Sequence, residues 1–171
     1  MAKKIALVIA HQGFQADEYY VTKQTLQAAG IDVVTVSDQA GRATGHDGSQ
    51  TEVDGTIDDL IVRHYHGIFL VGGTGALDHL DTPIMYQKLA EVYAIGSAYG
   101  AICISPRILA RAHLLHGKKA TGWNKDKELL PLFQTYNVIF VDQPVVIDGN
   151  VVTANGPTAA AAFGTAIASV L

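Results

Sequence analysis

"GAICISPR", Gly100–Arg107, holds the chain's single cysteine, Cys103, between a run of small apolar residues and a serine–proline pair. The apolar side reads as a buried strand. Ser105 and Pro106 read as a helix start, because serine caps a first turn and proline fits the first helical position. Strands that run into helices build a parallel sheet covered on both faces, and reactive groups in such sheets gather at the carboxyl ends of the strands. Cys103 falls at that edge. Gly100 and Ala101 leave room for the sharp turn of an elbow nucleophile. Amides at the start of the following helix favour a thiolate, which predicts a thiol pKa below its ordinary value. The competing reading makes Cys103 a small buried hydrophobe.

The same alternation runs along the whole chain. "KKIALVIA" is a strand, and "EYYVTKQTLQAAG" reads as a helix with Tyr20, Val21, Thr25, Leu26 and Ala28 at helical spacing and Gly30 as its stop. "IDVVTVS" is a second strand. The polar stretch "DQAGRATGHDGSQTEVDGT" predicts turns and a small surface hairpin. "IDDLIVRHY" is expected as a short helix, "GIFLVGG" as an apolar strand and "PIMYQKLAEVYAIG" as a helix with Pro83 in its first turn. Beyond the strand "AIC", the helix is expected to span "SPRILARAHLLHG". "NVIFVDQPVVIDGNVVTA" is β-rich with a tight turn at "IDGNV", and "NGPTAAAAFGTAIASVL" closes as an alanine-rich helix. With no linker or repeat, residues 1–171 form one α/β domain with a mostly parallel central sheet.

Composition narrows the functions. Hydrophobic residues make up 49% of 171 residues, enough for one sizeable core. A formal charge of −4 and scattered basic residues argue against nucleic acid or an acidic membrane surface as partner. The first apolar run, Ile5–Ala10, is too short for a secretory core, and no stretch approaches the roughly 20 apolar residues of a membrane span. One cysteine cannot form an internal disulfide, which suits a reducing compartment, so the expected location is cytoplasmic.

Two further segments share the edge of Cys103. "VGG", Val71–Gly73, ends a neighbouring strand, where glycine lets the backbone approach a ligand and aim an N–H at it. With the amide after Cys103, this would make a two-donor oxyanion hole. In "ADEYY", Asp17 and Glu18 follow the first strand and its loop. A carboxyl beside a thiolate is driven to hold its proton and could donate it to sulfur, whereas an ordinary acid would only decorate a helix start.

Together "GFQADEYYVTKQTLQAAGIDV", "FLVGGTGA", "AICISPRILARAHLLHGKKATGW" and "VVIDGNVVTANGP" resemble the ThiJ/PfpI superfamily, with its intracellular protease-like and deglycase-like members, over nearly the whole chain. The resemblance implies a flavodoxin-like three-layer sandwich, a homodimer or higher homo-oligomer, and a small-molecule substrate handled without a cofactor. Cys103 matches the family nucleophile, Glu18 the carboxyl that touches its sulfur, Gly73 the oxyanion-hole glycine and Ile104 the amide after the nucleophile. Gly72, Asp17 and Trp123 are expected to line the site. Two departures stand out: Ile104 occupies the position that is histidine in many members, and Gly122, Trp123 and Asn124 occupy the segment where others carry one.

Of the seven histidines, His11 directly follows the first strand and is expected to line the site. His46 lies in the polar loop and could reach a neighbouring subunit. "HYH" and "HLLH" lack partnering ligands, so no metal is expected. The leading functional expectation is an enzyme in which Cys103 attacks a small electrophile, a glyoxal-type aldehyde or its adduct, with Glu18 moving the proton. The alternatives are a redox-responsive stress or chaperone protein oxidised at Cys103, a cysteine peptidase or amidase, an isocyanide hydratase-like enzyme, and a binding module without turnover.

Overall fold

A computed structural model describes residues 1–171. In chain order the strands are β1 (Lys4–Ile9), β2 (Gln12–Phe14), β3 (Asp32–Ser37), β4 (Arg42–Gly45), β5 (Gln50–Glu52), β6 (Gly55–Thr56), β7 (Gly67–Leu70), β8 (Ala98–Ile102), β9 (Lys119–Ala120), β10 (Ile139–Phe140), β11 (Val145–Asp148) and β12 (Val151–Ala154). The helices are α1 (Ala16–Ala28), α2 (Ala76–Leu80), α3 (Pro83–Ala94), α4 (Pro106–Arg111), α5 (Leu129–Thr135) and α6 (Ala160–Val170).

Seven strands form the central sheet in the order β11-β12-β8-β7-β1-β3-β6, parallel throughout except for the β11–β12 hairpin. The apolar sequences of β1, β7 and β8 follow from this placement, since a central parallel strand is buried on both faces. One face packs against α3, α4 and α5 through Met85, Leu89, Ile108, Leu109, Leu129 and Phe133. The other packs against α1 and α6 through Tyr19, Leu26, Phe163 and Ile167. This is the expected three-layer sandwich. From β1 the chain moves to β3 on one side and later returns to β7 on the other, so a crevice opens at the carboxyl ends of β1 and β7.

Some local elements differ from the sequence reading. "IDDLIVRHY" is not an α-helix. Thr56 and Asp59 close a turn through their side chains, and only Val62–His64 forms a 3-10 turn. Ile57, Leu60 and Val62 are all buried, a spacing that no single helical face provides. The helix after Cys103 ends at Arg111, where His113 adopts φ 62° and turns the chain so that Leu114 and Leu115 enter the core. The helix α5 lies in a stretch for which the sequence reading assigned no element. Pro131 is its third residue, where no intrahelical amide bond is lost.

Ser105 also departs from expectation. It precedes α4 but caps none of its amides. Instead its buried hydroxyl donates to the carbonyl of Val71 at 2.7 Å, tying the start of α4 to the end of β7. Ser105→Ala would leave that carbonyl buried without this partner, at a cost of about 1–3 kcal/mol. Urea unfolding should show the loss as a lower midpoint with an unchanged slope.

Candidate active site

Cys103 sits between β8 and α4 with φ 65°, in the left-handed region that a non-glycine residue enters at a cost of about 1–3 kcal/mol. Backbone contacts impose it. The Cys103 amide donates to the carbonyl of Ala154 at 2.9 Å, and its own carbonyl accepts from the Trp123 amide at 2.7 Å. Half-buried, the side chain lines a cleft at the carboxyl edge of the sheet.

Glu18 reaches the same point from the first turn of α1, with its amide held by the side-chain carbonyl of Gln15 at 2.7 Å. Its carboxyl is 0% exposed. Oε1 accepts from the Gly72 amide at 2.9 Å, while Oε2 has no nitrogen or oxygen donor. The thiol of Cys103 is its neighbour. Gly72 makes this contact possible. A Cβ there would stand 2.7 Å from both Glu18 Oε1 and Cys103 Cβ.

Burial pushes the Glu18 carboxyl up to about 7, against the opposing pull of its bonds to Cys103 and to the Gly72 amide. Burial, followed by the charge and hydrogen bond of Glu18, pushes the Cys103 thiol up as well. The Ile104 amide and the Arg107 guanidinium pull it down by less. The expected depressed thiol is therefore corrected. The amide field at the start of a helix of six residues is outweighed by desolvation beside a carboxyl. Glu18 and Cys103 form a pair that retains a proton at neutral pH, with Glu18 as the site able to exchange it.

The cleft above the pair encloses about 200 Å³ and is lined by Gln15, His46, Gly73, Thr74, Cys103, Ile104 and Trp123. Gly73 has φ 123°, and a Cβ there would lie 2.3 Å from the Gly13 carbonyl, so only glycine fits. The amides of Gly73 and Thr74 donate to no acceptor in the chain, and the Ile104 amide interacts with the Cys103 sulfur. The Gly73 and Thr74 amides are thus unpartnered, and the Ile104 amide lies beside the sulfur.

The walls of the cleft are held from behind. Arg107, 2% exposed, places its guanidinium 5.6 Å from the centre of the Trp123 ring. It donates to the Trp123 carbonyl at 3.0 Å and forms a two-pronged pair with Asp126 at 2.7 and 3.0 Å. Sequence reasoning missed this support, although an arginine inside the apolar run "PRILA" was a signal for a buried, paired cation.

Cys103, Glu18, Gly72, Gly73, Ile104 and Trp123 thus lie together at one place on the sheet edge. Asp17 does not join them: it is exposed on the first turn of α1. His11 is also corrected. Its amide donates to Asp38 at 2.8 Å and its Nε2 lies 3.2 Å from the Ala40 carbonyl, away from the cleft lining. The imidazole at the cleft is His46, which reaches the site of its own chain. It gets there because β2 pairs with β4 and the His46 amide donates to the Phe14 carbonyl at 2.8 Å. The Nδ1 of His46 accepts from the Ala16 amide at 3.3 Å, so the neutral ring carries its proton on Nε2. No three His, Cys, Asp or Glu residues are grouped to hold a metal ion.

A model of the DJ-1/PfpI family matches residues 3–170. An uncharacterized protein of Methanocaldococcus jannaschii is 35% identical over 162 residues, covering 94% of this chain and 78% of its own. Among solved structures, a ThiJ/PfpI domain protein from Brachyspira murdochii superposes with a TM-score of 0.91 at 28% identity, covering 99% and 96% of the two chains. Drosophila melanogaster DJ-1beta superposes with a TM-score of 0.89 at 26% identity, covering 99% and 90%.

The raised carboxyl makes a prediction about stability. The native state binds the Glu18 proton more tightly than the unfolded chain does. Its contribution is full below pH 4.5 and is lost as pH rises through about 7. At 1.36 kcal/mol per pH unit the loss is of order 3 kcal/mol. Urea unfolding from pH 4.5 to 8 should show this decline in the wild type but not in Glu18→Gln, so the stability difference between the two proteins should shift by that amount across the range. Parallel curves would mean that Glu18 ionises normally.

Proposed function

The chain belongs to the DJ-1/PfpI family, and on that premise we propose that it is a cysteine-dependent enzyme acting on small glyoxal-type aldehydes or their adducts. The observation that carries this reading is the buried Glu18 carboxyl, raised to about 7, beside the Cys103 thiol and beneath unpartnered amides. A base works best when its pKa lies near the operating pH.

In this mechanism the Cys103 sulfur adds to the aldehyde carbon while Glu18 takes the thiol proton. The new oxyanion is met by the amide of Gly73 and by that of Ile104, which shifts from the sulfur as the thiol becomes a thioether. With a 2-oxoaldehyde, Glu18 first returns the thiol proton to the oxyanion, and its freed carboxylate then takes the proton of the former aldehyde carbon and delivers it to the neighbouring carbonyl carbon while the hydroxyl proton passes to the neighbouring oxygen. The hemithioacetal becomes a 2-hydroxyacyl thioester, which water cleaves. The balance is RCOCHO + H2O → RCH(OH)COOH, and thiol and carboxyl return to their starting states.

Amide hydrolysis fits less well. An amide nitrogen must be protonated as it leaves, and the imidazole at the cleft has its Nδ1 lone pair engaged by the Ala16 amide. In the neutral ring Nε2 is a donor, so His46 is not a free base. Spontaneous oxidation also fits less well, because it requires a thiolate and burial disfavours one here.

The test is to give wild type and Cys103→Ser a panel of glyoxals, amides and isocyanides. Glyoxals should be consumed by the wild type alone. Its kcat/KM should rise with pH through a limb near 7, where Glu18 loses its proton. Glu18→Gln should abolish that limb and lower kcat/KM about 10²–10⁴-fold. Consumption of amides alone, or undiminished glyoxal turnover by Cys103→Ser, would overturn the reading.

A further inference from the structure

The start of α1 contributes two side chains to the cleft, and each has its acceptor atom already used. Gln15 Oε1 accepts from the Glu18 amide at 2.7 Å, and an N–H can meet only the oxygen of that side chain. Its NH2 group is left with no partner in the chain. His46 Nδ1 accepts from the Ala16 amide at 3.3 Å, which leaves Nε2–H as the ring's free donor. Both residues line the cleft with Cys103. Each hydrogen bond also passes the positive end of α1 outward, since an amide that is already donating polarises the group it donates to.

The cleft therefore offers donors in two sets. Gly73 and Ile104 supply backbone amides, and Gln15 and His46, which line the same cleft, supply side-chain donors. An aldehyde with a single oxygen can satisfy the first set only. A vicinal dicarbonyl, with its two oxygens on adjacent carbons, is small enough for a cleft of about 200 Å³.

We infer that Gln15 and His46 form a donor pair that holds the second oxygen of a vicinal dicarbonyl. They would thereby select molecules with two adjacent carbonyl groups over simple aldehydes and ketones. The inference rests on the proposed carbonyl chemistry and assigns residues to its specificity. While the first oxygen takes charge as sulfur adds, the second is polarised by Gln15 Nε2–H and His46 Nε2–H. That polarisation assists the proton transfer between the two carbons. Both groups act on substrate as donors and neither gives up its own proton.

Binding tests this without turnover. In the Cys103→Ser background, nuclear magnetic resonance titrations would compare 2,3-butanedione with 2-butanone, two ketones of similar size. The dione should bind at least about tenfold more tightly, which corresponds to about 1.4 kcal/mol, or one to two hydrogen bonds. Gln15→Glu keeps an oxygen for the Glu18 amide but removes the NH2 group, and His46→Leu removes the ring. Each should reduce the preference to about threefold or less, while His46→Gln, which restores a side-chain NH2, should recover part of it. A preference below threefold in the Cys103→Ser protein that keeps Gln15 and His46 would overturn the inference, as would one that survives both Gln15→Glu and His46→Leu. Methylglyoxal turnover by the Cys103-containing protein separates the two proposals. If it is absent while the dione preference behaves as stated, the enzymatic reading fails and the donor pair stands. If it is present and the preference is missing, the donor pair fails alone.

Discussion

A carboxyl and a thiol buried against each other across the bare backbone of Gly72 set the terms for the rest of the site. Neither group tolerates charge well in that position, so the thiol keeps its proton and the carboxyl is left to exchange one near neutral pH. Gly72 must lack a side chain, α1 must begin where it does, and the elbow must hold Cys103 in a left-handed conformation. The sheet supplies these conditions at once. The ends of β1, β7 and β8 lie side by side at the crevice, and each delivers one component: the loop into α1, the glycine pair, and the elbow.

Much of this was legible in the sequence because it is local. Apolar runs bounded by turn residues gave β1, β3, β7 and β8, and the order of strands and helices implied a parallel sheet. Cys103, Gly73 and Ile104 could be placed at the sheet edge from the strand–turn–helix pattern alone. Choosing Glu18 over Asp17 needed the family resemblance, since both are acids in the same helical turn. The structure then separates a buried carboxyl from an exposed one.

What remained hidden depends on contacts between distant segments. His46 comes to the cleft through the pairing of β2 with β4, some thirty residues apart, and nothing in the local pattern of "GRATGHDG" specifies that contact. His11 was favoured over it by closeness in sequence to β1, but its ring turns to Ala40. The thiol was misjudged for a related reason. A helix start can be read from Ser105 and Pro106, whereas the depth of burial that opposes it belongs to the whole fold. Even Ser105 spends its hydroxyl on Val71 rather than on its own helix.

The clamp on Cys103 carries a consequence for how the protein is made. Its amide is held by Ala154 and its carbonyl by Trp123, and β8 is paired along its length with β12. All of these partners follow the cysteine in the chain. A ribosome that has just released residue 103 has produced the nucleophile but none of the atoms that force its left-handed turn. The nascent chain therefore carries an ordinary, relaxed cysteine. The strained elbow forms only when the chain through Ala154 has emerged and β12 has paired beside β8. A chain cut short before Ala154 would contain Cys103, Glu18, Gly72 and Gly73 and would still lack the site that they form.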